Sequence, residues 1–263
     1  MAGSAVAEEI TSFYRSIIDI KAYSEFRTRP AGRAFLYLLL LTLVLGGISA
    51  VRLAVEMNAV IASATASIKK NIPDFRLDKN GIKVNAPMPY VKELDKDFIL
   101  AIDTTGKTDK EIFRGRGQGV LITASRIIYK ENELKITDYD IKSLGGVISL
   151  SKGDIERYLS YAWVIIVITL PFYLIFFYAA KLFSALIVAV LGLIINSVLK
   201  TGVSFEDLFK LSIYALTAPI ILKIAVEFTS YPVPYFFLVY YGVGLLYLWL
   251  ALRRISANAA PSS

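Results

Sequence analysis

Residues 158–200 constrain this chain more than any other stretch. They run for about 40 residues with Lys181 as the single charge before Lys200. A bilayer core is ~30 Å thick, and one helical crossing needs ~20 residues. The stretch is therefore two crossings long by composition. One apolar run precedes it and two follow. The fold expected is an α-helical polytopic membrane protein with five transmembrane helices and an inserted extracytoplasmic, strand-rich α/β domain.

The chemistry available to the chain is narrow. It has no Cys and no His, which removes disulfides, thiol nucleophiles, His/Cys metal sites and Ser-His-Asp catalysis. The reading is accordingly not an enzyme, with no cofactor and no metal. The net charge is +7 and 56% of the residues are hydrophobic; mean hydropathy is +0.56. Lys and Arg that hold loops on the cytoplasmic side account for the basic balance. No nucleic-acid motif accompanies it, so no nucleic-acid partner is expected.

The N-terminal region, residues 1–31, reads as a cytoplasmic amphipathic helix. Val6, Ile10, Phe13, Tyr14, Ile17 and Ile18 recur at three/four spacing. Its apolar face suits either the inner membrane surface or the protein's own bundle. Arg27, Arg29 and Arg33 precede the first apolar run and place the N-terminus inside. The region before that run is too long for a signal peptide, so a retained span over 32–56 is expected, with Gly46, Gly47 and Ala50 as a packing stripe.

Residues 57–157 hold 17 Lys/Arg and 14 Asp/Glu and form the one polar domain. A helix over 59–70 extends the first span. Strands are predicted at 75–78, 82–85, 98–103, 119–123, 126–130 and 134–136. The turn signals Asp78-Lys79-Asn80-Gly81, Thr105-Gly106 and Glu131-Asn132 separate them, and the last two strands form a hairpin. Residues 158–252 supply spans two to five, with a turn at Lys181, a helix cap at Ser204 and a turn at Tyr231–Pro234. Residues 253–263 form a disordered tail. Five spans from an inside start leave Arg253 and Arg254 outside, against the positive-inside rule.

Six polar or special residues in the spans are candidates for function. Lys223 and Glu227 share a helix face four residues apart, as an ion-linked site or an interfacial pair. Asn196 can hydrogen-bond across helices. Tyr214, Thr217 and Pro219 mark a proline kink whose freed carbonyl Thr217 can partly satisfy. In the polar domain, Asp103-Thr104-Thr105-Gly106-Lys107 reads as a strand ending in a turn. It lacks the glycine spacing of a phosphate loop. Residues 114–119 read as a basic surface loop.

With these segments in place the chain resembles a bacterial family of unknown function whose members are often labelled maltodextrin-utilisation membrane proteins. The matching residues are Phe13-Tyr14, Phe26-Arg27, Ile72-Pro73-Asp74-Phe75, Asn80-Gly81, Ile102-Asp103-Thr104-Thr105-Gly106, Gly119-Val120-Leu121-Ile122 and Tyr129-Lys130. The second half, through Ser204-Phe205 and Tyr214-Ala215-Leu216-Thr217-Ala218-Pro219, is similar to the Yip family of five-span membrane proteins. The resemblance implies five spans in a bacterial inner membrane and supplies no catalytic residue.

The function expected is that of a membrane accessory or scaffold protein, linked by that label to maltodextrin uptake. Its outer domain would bind a protein, glycan or lipid. Its bundle would sit in the lipid bilayer with a membrane-protein partner or a second copy. The alternative is a small transporter or lipid-handling protein. That alternative needs Asn196, Tyr214, Thr217 and Lys223 to converge on one polar path.

Overall fold

The computed structural model describes residues 2–78, 81–141, 149–229 and 231–259. Lys79 and Asn80 of the first turn signal lie outside the described residues. The chain divides into a helical unit (1–55 and 167–263) and a second unit (56–166) that carries the sheets.

The N-terminal region is two helices, not one: α1 (Ala2–Ile18) and α2 (Ala22–Thr28). The break is local. The Asp19 carboxylate accepts the Lys21 amide at 3.0 Å, a short-range bond that competes with helix continuation. The orientation of α1 also departs from expectation. Glu9, Ser12 and Ser16 face inward, while Ile10, Tyr14 and Ile18 are 66%, 63% and 58% exposed. The helix docks through Glu9, Ser12 and Ser16 with Phe13 packed partly on the core, and turns the Ile10, Tyr14 and Ile18 edge of its apolar stripe outward.

Next comes α3 (Ala31–Leu41), a π-helical turn (Thr42–Gly46) and α4 (Gly47–Asn71), one apolar helix through its first half. A side chain at Gly46 would press on Phe177 at 3.2 Å, whereas Gly47 faces open space, so only one of the two glycines is a packing position.

The second unit has two sheets. The smaller pairs β1 (Phe75–Asp78) with β2 (Gly81–Val84) and with the short β8 (Leu150–Ser151). The larger runs β3-β4-β5-β6-β7 in spatial order. Its strands are β3 (Tyr90–Asp95), β4 (Phe98–Asp103), β5 (Gln118–Thr123), β6 (Arg126–Asn132) and β7 (Lys135–Asp140). β4 and β5 are parallel, a pairing that needs a crossover of a dozen residues or more; residues 104–117 supply it. A 3₁₀ turn there (Lys110–Phe113) drops Phe113 onto Ile99, Ala101, Leu121 and Ile128. The buried Lys130 fixes the crossover from below. Its ammonium donates to the carbonyls of Arg116 (2.7 Å) and Phe113 (3.4 Å) and to Glu133 (2.9 Å).

α5 (Lys152–Ser160) starts on a capping box, in which Ser151 and Asp154 bond each other's backbone. α6 (Ala162–Leu199) then runs for 38 residues without a turn at Lys181. At ~1.5 Å per residue it is nearly twice the depth of a hydrocarbon core, which explains why composition alone suggested two helices. Lys181 needs no turn because aromatic neighbours receive it inside the helix, as described below. The remaining helices are α7 (Phe205–Ala215), α8 (Thr217–Glu227) and α9 (Phe236–Ala259). Ser204 caps α7 as expected, accepting from the Asp207 amide at 3.1 Å. α9 continues past Ile255 through four small or polar residues, so the tail expected after 255 is helical to 259; residues 260–263 lie outside the described residues.

Four helices among the described residues are long and apolar enough to cross a membrane, not five: Ala31–Asn71, Lys152–Leu199, Phe205–Glu227 and Phe236–Ala257. In the helical unit the Tyr247 hydroxyl of α9 donates to the Ile17 carbonyl of α1 at 3.0 Å. The C-terminal end of α1 therefore packs at the middle of α9.

Candidate functional site

The helical unit gathers its polar groups into two assemblies. The first is centred on Tyr37 of α3, whose ring is fully inside. Its hydroxyl lies 3.1 Å from the Ser16 hydroxyl and 2.6 Å from the Thr217 hydroxyl, so it joins α1 to α8. Thr217 in turn donates to the Tyr214 carbonyl at 2.8 Å. This is not the carbonyl that Pro219 frees, which is that of Ala215 four residues back; the helix breaks at Leu216 between α7 and α8, so Pro219 stands in the first turn of α8, where its missing N–H costs little. Tyr23 donates to the Ser16 carbonyl at 2.8 Å. The Tyr214 ring stacks on Phe26 with centroids 4.1 Å apart and tilts against Tyr37 at 4.5 Å. Two of the six sequence candidates, Tyr214 and Thr217, thus fall in one cluster, with Pro219 two residues further on in the first turn of α8.

An ionic layer extends this assembly. Arg33 holds Glu9 and Glu8 at 2.6 Å each. Arg29 reaches Glu25 at 2.6 Å and Glu9 at 3.6 Å, donates to the Ser12 hydroxyl at 2.8 Å, and lies over the Phe26 ring. Burial pushes the Glu9 carboxyl above its ordinary value while Arg33 and Arg29 pull it back. Burial also acts upward on Glu25, but hydrogen bonds from Arg29 and Arg15 outweigh it and hold that carboxyl low. Lys210 caps the carbonyls of Arg27 and Arg29 at 2.9 and 3.0 Å and pairs with Asp207 at 2.9 Å. Each of these groups has a partner from the protein itself, as buried charges must. The signal that could have found this layer is the run Glu8, Glu9 set against Arg29 and Arg33; the sequence reading uses the arginines for membrane orientation alone.

The second assembly sits where α8 ends and α9 begins. Lys223 and Glu227 pair at 3.1 Å, and Ser49 donates to Glu227 at 3.4 Å. They line a groove of about 340 Å³ with Arg52, Val226, Tyr231, Pro232, Val233 and Phe236. Lys181, not among the candidates, lies behind it. It is 6% exposed, 3.2 Å from the Tyr240 hydroxyl, with its ammonium over the rings of Phe177 and Tyr240.

Asn196 joins neither assembly. It holds the connection into α7, donating to the Val203 carbonyl at 2.9 Å and accepting the Val203 amide at 3.2 Å and the Thr201 hydroxyl. Gly202 in that turn has φ +65, a left-handed conformation that glycine adopts freely.

In the second unit the Asp103 carboxylate ends β4. It accepts the Thr105 hydroxyl (2.6 Å) and amide (2.8 Å) and the Thr108 amide (2.6 Å). The Thr105 hydroxyl above all, then the two amides, hold it well below the usual carboxylate range against the opposing effect of burial. An open groove of about 400 Å³ adjoins this turn. Thr108, Lys110, Glu111, Thr123 and Arg126 line it, and Asp138 pairs with both Lys110 and Arg126 at 3.3 and 3.4 Å.

Residues 10–252 match a family model described as a protein of unknown function, DUF1189. No curated protein and no solved structure matches the chain.

Proposed function

The chain belongs to the DUF1189 family, and we propose that it is an integral membrane accessory protein, not an enzyme, whose second unit captures a partner. One observation carries this reading. A transport path needs connected polar groups near mid-membrane, yet Asn196, Thr217 with Tyr214, and Lys223 stand in three separate places, each engaged by local partners. The open polar concavity of the second unit is the better candidate for recognition. Its lining of hydroxyls, two cations and carboxylates suits a glycan or a polar protein segment, and the resemblance to proteins labelled for maltodextrin utilisation favours the glycan.

In this reading the second unit is extracytoplasmic, in a bacterial inner membrane, with the N-terminus inside. Four crossings then return the C-terminus to the inside, and Arg253 and Arg254 obey the positive-inside rule. The test compares Lys110→Glu/Arg126→Glu with Lys223→Ala/Glu227→Ala. Maltodextrins of defined length are titrated into the purified full chain, and copurifying membrane proteins are identified for each variant. The accessory reading expects the groove variant to lose its ligand or partner and the Lys223/Glu227 variant to keep it. The opposite pattern overturns it.

A further inference from the structure

Lys181 and the groove in front of it are unexplained by an accessory role. An ammonium offers three hydrogen bonds, and the bond seen for Lys181 goes to a neutral hydroxyl. Ring faces attract the charge but do not neutralise it. Lys223 and Glu227 are near enough to act on it electrostatically, with opposite signs. Glu227, however, is already engaged by Lys223 and Ser49. Phe236, which lines the groove, is one helical turn before Tyr240 on α9, so the residue that bonds Lys181 stands one turn from the groove wall. Arg52 is the second cation of the lining beside Lys223; it has interactions of its own, so the two lysines are the cations that matter here.

The position matters as much as the charge. α8 ends at Glu227 and α9 begins at Phe236, which puts the groove where two apolar spans stop. Val226, Val233 and Phe236 make one wall apolar. Long basic side chains at such a level reach toward phosphate. We propose that this groove binds the phosphate of an anionic membrane lipid. Lys223 makes the contact, Lys181 supplies the fixed positive potential behind it, and the valine and phenylalanine wall takes the start of the acyl chain. Glu227 is then a competitor, holding Lys223 when the lipid is absent. The inference rests on the membrane reading above, though not on the glycan.

The test uses the full chain in nanodiscs and in detergent, with native mass spectrometry counting retained lipid. Phosphatidylglycerol is expected to be retained over phosphatidylcholine. Lys223→Gln is expected to weaken that retention about fivefold, the effect of one basic residue near an anionic headgroup. Lys181→Met is expected to weaken it likewise. Glu227→Gln is expected to strengthen it, a gain that damage to the fold would not produce; circular dichroism confirms equal helicity across the variants. Equal retention of both lipids, or indifference to all three substitutions, overturns the proposal. So does full competition by millimolar inorganic phosphate, which would make the site one for a free anion. A chain that cannot be placed in nanodiscs at all defeats the membrane reading itself, a result distinct from either of these.

Discussion

Both units of this protein bury an apolar core, but they differ in what they place beside it and in what they leave outside. In the second unit the apolar residues Ile99, Ala101, Phe113, Leu121 and Ile128 are inside, and ion pairs such as Arg114 with Glu111 lie at the surface. In the helical unit Glu9, Ser12, Ser16, Lys181 and Thr217 are inside, while Ile10, Phe172, Phe176 and Phe183 are exposed. On the membrane reading, one chain thus satisfies two solvents. Water rewards the first arrangement through burial of apolar area. Hydrocarbon offers no such reward, and there polar contacts between helices hold a bundle together.

The sharpest way to break this contrast is to remove one partner from the buried ionic layer. Arg29→Ala leaves Glu9 and Glu25 short of a cation and takes a guanidinium off Phe26. It is expected to cost about 3 kcal/mol, in the range for breaking a buried pair, read as loss of the folded fraction in a detergent thermal scan. A loss no larger than that of an exposed pair would show that the layer is solvated.

Packing gives the next largest effect and compares the units directly. A side chain added at Gly119 would stand 2.7 Å from both Ile99 and the Phe113 ring, and one at Gly192 would stand 2.5 Å from the Leu248 methyl. The ring cannot yield as a methyl group can. Gly119→Ala is expected to cost about 2–3 kcal/mol and Gly192→Ala about 1 kcal/mol. The reverse order in thermal or denaturant unfolding would mean that the helical unit is the more rigidly packed of the two.

Tyr37→Phe removes the hydroxyl that joins Ser16 to Thr217. The expected loss is about 1–2 kcal/mol, seen as increased amide exchange in α1 with α3 unaffected. Exchange that rises equally in both helices would refute a local joint.

The depressed Asp103 carboxyl gives a pH signature confined to the second unit. Its folded value lies below the unfolded one, so its stabilisation is complete above the unfolded value near 3.8 and is lost as pH falls below that. Asp103→Asn should flatten the acid limb of the unfolding curve and lower the neutral-pH midpoint. An unchanged acid limb would show that the threonine bonds are not maintained in solution. At the bottom of the scale, Arg114→Ala breaks an exposed pair and is expected to change stability by less than about 0.5 kcal/mol; a larger change in chemical denaturation would assign the 104–117 crossover a role that its exposure does not suggest.

Local signals were legible where local physics decides. β1 and β4 begin and end where alternation and flanking turns place them, and the β6–β7 hairpin pairs as expected. β3 escaped notice because its residue types do not follow its burial: Val91 faces out, while Lys92 takes a half-buried position between Tyr90 and Leu94. The length of α6 was illegible for a related reason. An unbroken apolar run fixes the amount of hydrocarbon-compatible chain, not the number of helices it makes. Lys181 looked like punctuation, but the rings that receive it come from Phe177 on its own helix and from Tyr240, which is 59 positions away. The six span candidates stand out in sequence as polar or special exceptions to an apolar rule, but their grouping into Tyr214 with Thr217, and Lys223 with Glu227, depends on α3 and α4, whose Tyr37 and Ser49 complete each set.

The bond from Tyr247 to Ile17 has a practical corollary for anyone probing this molecule. It ties the closing turn of α1 to the middle of α9 through a single hydroxyl, so a spectroscopic label on the exposed Ile18 should report whether that tie is made. Tyr247→Phe should then raise the label's mobility while leaving one placed on α6 unchanged.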